Sequence, residues 1–251
     1  MKKAVLIVFT FAIFFFNSCD VANDLIKVAS PYLPLTEQEV VNGLKSALEI
    51  STDTAVSIVS ATNGFYMDNA LKILLPPEAD IITQNMNNPL LKAIGVSDMI
   101  DDVILRMNRS AEQAAKQATP IFVNAIKNMS IQDAFGILNG SDTSATHYFR
   151  IKTYSQLQNT FKPKIRNSLN KPIVSGVSAN SAWNSLTSGY NQVANFVPGW
   201  KKVNTDLDDY VTRKALDGLF LKVAQEEKQI RNNPSARVND ILKRVFGDKL
   251  Y

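Results

Sequence analysis

Between Thr205 and Arg231 the apolar residues Leu207, Tyr210, Val211, Ala215, Leu216, Leu219, Phe220, Val223 and Ala224 recur at steps of one, three and four. That spacing gathers them on one face of a helix with 3.6 residues per turn, whereas a strand would scatter them over both faces. Asp208, Asp209, Arg213, Lys214, Glu226 and Glu227 fall mainly off the stripe. At about 1.5 Å per residue the helix is about 40 Å long. A stripe of that length holds in water only when other helices cover it, so the rest of the chain must supply them. No period-two run of useful length occurs in the sequence. The predicted fold is all-α: a multi-helix, bundle-like body with this long amphipathic helix near its C-terminus.

The other helices are marked by caps and breakers. Thr36 and Glu39 have the spacing of a capping box, and Val40, Val41, Leu44, Ala47 and Leu48 follow at helical steps until Asn63-Gly64. Pro76-Pro77 makes LKILLPPEAD an extended segment or hinge. A helix resumes at Ser97 through Met99, Ile100, Val103, Ile104 and Met107, and Pro120 either kinks it or starts a new one near Ile121. Shorter helices are predicted at Ile131–Leu138 and Thr143–Leu157, split by Gly140, with Asp142 as the cap of the second. Pro163 begins or bends another. Trp183, Leu186, Tyr190, Val193 and Val197 step by three or four through a Ser/Asn/Gly-rich stretch and predict one more helix. Asn233 and Pro234 read as the cap and first residue of a final helix carrying Val238, Ile241, Leu242, Val245 and Phe246, which Gly247 ends.

Ahead of this body, Lys2 and Lys3 precede an apolar run from Ala4 to Phe16, and Asn17-Ser18 lead to Cys19. That is signal-peptide anatomy, and the run is too short for the roughly 20 apolar residues of a spanning helix. The chain has one cysteine. The sequence F-N-S-C resembles the bacterial lipobox, whose cysteine thiol forms a thioether to diacylglycerol before cleavage. The expected organisation is a signal peptide over 1–18, a tether over 19–34 containing Pro31 and Pro34, and one all-α domain over 35–251. Lipidation at Cys19, by acyl chains such as palmitate, would make the membrane a partner and place the body in the cell envelope, facing the periplasm or the cell exterior. No disulfide is then available, so packing alone holds the fold.

Loss of the leader with Lys2 and Lys3 leaves 25 of the 27 basic residues against 23 acidic ones. That near-neutral balance, with no basic stripe, excludes nucleic acid as a partner. His147 is the only histidine, which removes the Ser-His-Asp, Cys-His and histidine-rich zinc classes. Phosphate-binding glycine loops and the G-x-S-x-G elbow are missing too. Three acidic groups remain: Asp98 with Asp101 and Asp102, Asp206 with Asp208 and Asp209, and Glu226 with Glu227. Helix first turns account for Asp98 and Asp206, and i,i+4 pairing accounts for Asp209 with Arg213 and Glu227 with Arg231, so all read as solvated faces. The sequence therefore assigns no catalytic residue, cofactor or metal. Trp183, Tyr190, Phe196 and Trp200 are candidate contacts for an apolar ligand, although a stripe at helical spacing is first of all a packing stripe.

Four blocks carry a resemblance: NGLKSALEISTDTAVSIVSATNGFY, DDVILRMNRSAEQAAKQATPIFVNAIKNMSIQDAFGILNG, TSATHYFR and DDYVTRKALDGLFLKVAQEEKQIRNNPSARVNDILKRVFG. From Leu35 to Gly247 the chain resembles the bacterial envelope family catalogued as domain of unknown function 4197. The resemblance implies an exported or lipid-anchored helical protein and supplies no activity. His147 stands where that family leads one to expect Gln. The leading expectation is a lipid-anchored, non-enzymatic binding or scaffolding module whose partner is an envelope protein or apolar ligand. A carrier of lipid or another apolar ligand is one alternative, and a carboxylate-dependent cell-wall enzyme is the other.

Overall fold

The nine-position stripe becomes α7 (Leu207–Asn232), and seven of its members, from Leu207 to Val223, are buried while Tyr210 and Ala224 are half-buried. Asp206 caps it by accepting from the Asp209 N–H at 2.9 Å. The computed structural model describes residues 35–80, 96–172, 176–194, 206–237 and 240–247, together with Lys202. All the described helices lie in the unit Glu37–Tyr251. Around α7 stand α1 (Glu37–Ser60), α2 (Val96–Ala115), α3 (Ala118–Lys127), α4 (Ile131–Leu138), α5 (Ser144–Leu169), α6 (Ala179–Ala194) and α8 (Asp240–Gly247). No strand occurs among the described residues, and the fold is all-α as the periodicity requires.

The helix α7 packs most extensively against α5 and α1. It runs antiparallel to α5, since Glu227 meets Ala145 at one end and Asp208 meets Arg166 at the other. Phe122 of α3, Phe149 of α5 and Phe220 of α7 meet in the centre, with ring centroids 5.3 Å apart for the first pair and 6.1 Å for Phe122 and Phe220. The Arg150 guanidinium lies 4.8 Å above the Phe220 ring. Buried threonines are satisfied within their own helices: Thr52, Thr153, Thr187 and Thr212 each donate to the carbonyl four residues earlier at 2.6–2.8 Å.

Pro163 and the element after Asn233 differ from expectation, while Pro120 marks the start of a new helix as expected. Pro163 neither starts nor breaks a helix, because α5 continues through it; its ring lies on the exposed side, and Phe161 and Ile165 on either side are buried in the core. The packing energy of that face outweighs the lost backbone bond. Pro120 falls in the first turn of α3, where its missing N–H costs nothing. Asn233 caps as predicted, accepting from the Ser235 N–H, but the element it starts is a single 3-10 turn over Pro234–Ala236, and α8 begins separately.

The turns and the extended segment that follow α1 are fastened from two sides. On the α2 side, Glu112 Oε1 accepts from the N–H groups of Phe65 and Tyr66 at 3.2 and 3.3 Å. Asn108 copies a strand edge: its Oδ1 accepts from the Ile73 N–H and its Nδ2 donates to the Ile73 carbonyl, both at 2.8 Å. From α7, Lys222 pairs with Asp68 at 2.8 Å and Tyr210 donates its hydroxyl to the Leu74 carbonyl at 3.1 Å. Asn63 takes a left-handed φ of 71° at the turn and accepts from Arg109, so the predicted stop at Asn63-Gly64 has a built support.

Candidate functional site

An open groove of about 950 Å³ lies between the helices α4 and α5. At its far edge Ser130 caps α4, accepting from the Asp133 N–H at 3.0 Å while the Asp133 carboxylate accepts from the Ser130 N–H and hydroxyl. The Ser130 hydroxyl, with its N–H, holds the Asp133 carboxyl below its ordinary value. One helix turn on, Gly136 leaves the groove floor without a side chain; a Cβ there would meet nothing within 4 Å. Gly140 is needed for closeness, since a Cβ there would fall 2.1 Å from Ser144 Oγ.

The junction of α4 and α5 is secured from α7. Glu227 Oε1 accepts from the Ala145 N–H at 2.9 Å, and its Oε2 accepts from the N–H of Thr146 at 2.9 Å and from its hydroxyl at 2.8 Å. Arg231 donates to Glu227 Oε1 at 3.0 Å and to the carbonyls of Ile137 and Leu138 at 2.7 and 3.3 Å. A carboxylate thus meets the positive N-terminus of α5 and a guanidinium the negative C-terminus of α4, which is the favourable sense for both dipoles. Asp142, the predicted cap of α5, instead accepts from Asn232 at 3.0 Å, and the N-cap Thr143 makes no side-chain cap bond. The amides it would serve are already taken by Glu227. Ser141, Thr143 and Ser144 are left with their hydroxyls along the groove.

His147 and Ile151 stand exposed on the α5 wall, with Tyr148 half-buried between them. Burial, followed by the charge of Asp133, pushes the Tyr148 phenol up. His147 makes no side-chain hydrogen bond among the described residues, so it has no partner to act as an acid–base relay. A second depression of about 380 Å³ lies between residues 70–75 and α7, with Leu74 and Leu221 exposed at its edge.

The acidic groups of the sequence separate by position. Asp206 and Asp209 share Lys162 at 3.0 and 3.3 Å, Asp209 also pairs with Arg213 at 2.9 Å as expected, and Asp208 pairs with Arg166 at 2.6 Å. Burial works against the charge of Asp206, yet the Asp209 N–H and Lys162 outweigh it and hold the carboxyl below its ordinary 3.8. The hydrogen bond to Asp206 in turn raises Lys162. Asp101 is exposed and Asp102 half-buried on α2; the side chain of Asp98 lies outside the described residues. Glu227 pairs with Arg231 as the spacing predicts, but the expectation of a solvated face fails for it and for Asp208, which are 4% and 6% exposed. Its neighbour Glu226 is half-buried, and burial outweighs Lys222 to raise its carboxyl. Among the described residues no three His, Cys, Asp or Glu side chains are grouped to hold a metal ion.

Of the candidate apolar-ligand contacts, Trp183 is buried in the main core at 2% exposure, and its Nε1 has no hydrogen-bond partner among the described residues. Phe196 and Trp200 lie outside the described residues, as does the side chain of Tyr190, and so does Cys19. No helix among the described residues is long and apolar enough to cross a membrane. Sequence reasoning passed over Gly136 and the hydroxyls at 141, 143 and 144; a glycine inside IQDAFGIL with no turn to make was the available signal.

Comparison with known families matches residues 34–247 to a family described as protein of unknown function (DUF4197). The chain belongs to that family. No curated protein and no solved structure matches.

Proposed function

We propose that the chain is an exported protein held at a membrane through acylated Cys19, and that its helical body is a non-enzymatic binding module of the cell envelope. The α4–α5 groove is its binding surface. The observation that carries this reading is the composition of that groove: a wide trough that combines polar side chains with apolar surface, in which the one histidine makes no side-chain hydrogen bond among the described residues. Elsewhere the buried carboxylates Glu112 and Glu227 are fully engaged by backbone N–H groups and arginines. The leader MKKAVLIVFTFAIFFFNSC supports the anchor. One acyl chain anchors marginally and two or more hold a protein stably.

The test is mass spectrometry of the mature amino terminus with membrane fractionation of wild type and Cys19→Ser. Acylated Cys19 as the first residue, with the serine variant lost from the membrane fraction or retained uncleaved, is the expected result. A different amino terminus, or membrane association with unmodified Cys19, refutes the anchor. The carrier reading draws on one observation, the buried Trp183 Nε1 without an acceptor among the described residues, which a lipid ester carbonyl would satisfy. Extraction of the purified protein with organic solvent tests it, and recovery of no bound lipid rejects it.

A further inference from the structure

We propose that the α4–α5 groove binds a neutral, hydroxyl-rich chain, an oligosaccharide. This rests on the reading of the body as a binding module and names the class of ligand. The groove volume of about 950 Å³ lies at the upper end of what small-ligand sites use, and the groove is open rather than enclosed, which suits a piece of an extended chain. Its formal charges cancel, with Asp133 against Lys152, and the Asp133 carboxylate is already engaged by Ser130. The groove presents no cluster of like charges to a strongly charged ligand.

The hydroxyl rim is the specific feature. Helix starts rich in Ser and Thr ordinarily turn those hydroxyls onto their own amides. In α5 the Glu227 carboxylate holds the amides of Ala145 and Thr146, so Ser141 Oγ contacts only Thr143 Oγ1 at 3.5 Å and Ser144 Oγ at 3.3 Å. Such long contacts exchange readily for shorter ones to a ligand. Each hydroxyl donates and accepts, which matches sugar hydroxyls in either sense. Tyr148 and Ile151, the latter 68% exposed, supply an apolar strip for the C–H face of a ring. Gly136 completes the argument: it weakens α4 without meeting any packing demand, and its bare backbone lets a ring lie close. Peptide recognition by strand addition needs an unpaired strand edge, and a trough walled by two helices offers none.

The experiment is an array of short neutral and N-acetylated oligosaccharides probed with detergent-solubilised full-length protein and with Gly136→Leu and Ser144→Ala. Leucine at 136 enters open space and improves helix propensity, so this variant folds. The wild type is expected to bind a subset of the array. Gly136→Leu should melt no lower than the parent and bind about tenfold more weakly or worse, and Ser144→Ala should lose a smaller factor of about threefold. An array without bound protein, or parental binding by Gly136→Leu, overturns the proposal. So does capture of a random peptide pool that Gly136→Leu abolishes while no oligosaccharide binds. The state of Cys19 does not enter this readout, so failure here leaves the anchor standing, and failure of the anchor leaves the array result unchanged.

Discussion

Glu112 on α2 and Glu227 on α7 are built from the same parts. Each is 4% exposed, each accepts from two consecutive backbone N–H groups, and each pairs with an arginine on its own helix, Arg109 and Arg231 respectively. Glu112 serves Phe65 and Tyr66 with one oxygen at 3.2–3.3 Å, and its arginine reaches a side chain, Asn63. Glu227 uses both oxygens at 2.8–2.9 Å, and its arginine reaches two helix-end carbonyls. The first fastens a loop; the second joins two helices and, by occupying the amides of α5, frees hydroxyls for the groove. Each of these two buried carboxylates marks a place where backbone would otherwise go unsatisfied, and its geometry tells how much structure depends on it.

The largest effect should come from Glu227→Leu, which leaves the N–H groups of Ala145 and Thr146 and the guanidinium of Arg231 without their partner. A loss of about 3–5 kcal/mol is expected in urea unfolding. Glu226→Gln, one residue away and half-buried, should change stability by less than about 1 kcal/mol. If the two variants unfold alike, the distinction between the neighbours is wrong. Glu112→Leu sharpens the comparison from the other side: two longer bonds to one oxygen predict a smaller cost, about 2–3 kcal/mol, by the same measurement.

Gly218 of α7 faces the loop that Glu112 holds, and a Cβ there would lie 2.6 Å from the Phe65 ring. Gly218→Ala should therefore cost about 1–3 kcal/mol, and less in a Phe65→Leu background, which a double-mutant cycle measures. The smallest effect belongs to Asp68. Its hydrogen bond to Lys222 outweighs burial, and the carboxyl sits below its ordinary 3.8. A lowered value means the contribution is complete above that ordinary value and disappears as pH falls through the folded one. Asp68→Asn should lower stability by less than about 1 kcal/mol at neutral pH and remove part of the acid-limb slope; an unchanged slope would count against the pair.

The pattern of the sequence located the helices because burial is periodic along each of them. Ile131–Leu138 emerges with its predicted ends, and α7 differs by two residues at its start and one at its end, since caps and stripes are local signals. Long α5 was cut short because Pro163 and the mixed composition after Leu157 say nothing of the core that Phe161, Ile165 and Leu169 fill from outside the local window. The i,i+4 spacing of Glu227 and Arg231 was visible, but not their depth. Burial of that pair depends on Ala145 and Thr146, about 80 residues earlier in the chain, and no local pattern connects them. The groove was hidden for the same reason: the hydroxyls at 141, 143 and 144 look like ordinary caps until their amides are seen to be taken.

Amide hydrogen exchange on wild type and Glu227→Gln, read at Ala145, Thr146, Phe65 and Tyr66, tests most directly whether this carboxylate splices α4 to α5. Glutamine keeps the shape and loses one acceptor oxygen and the charge. The account predicts that protection falls at Ala145 and Thr146 while Phe65 and Tyr66, held by Glu112, keep theirs. Unchanged protection at Ala145 and Thr146, or an equal fall at all four amides, would contradict it.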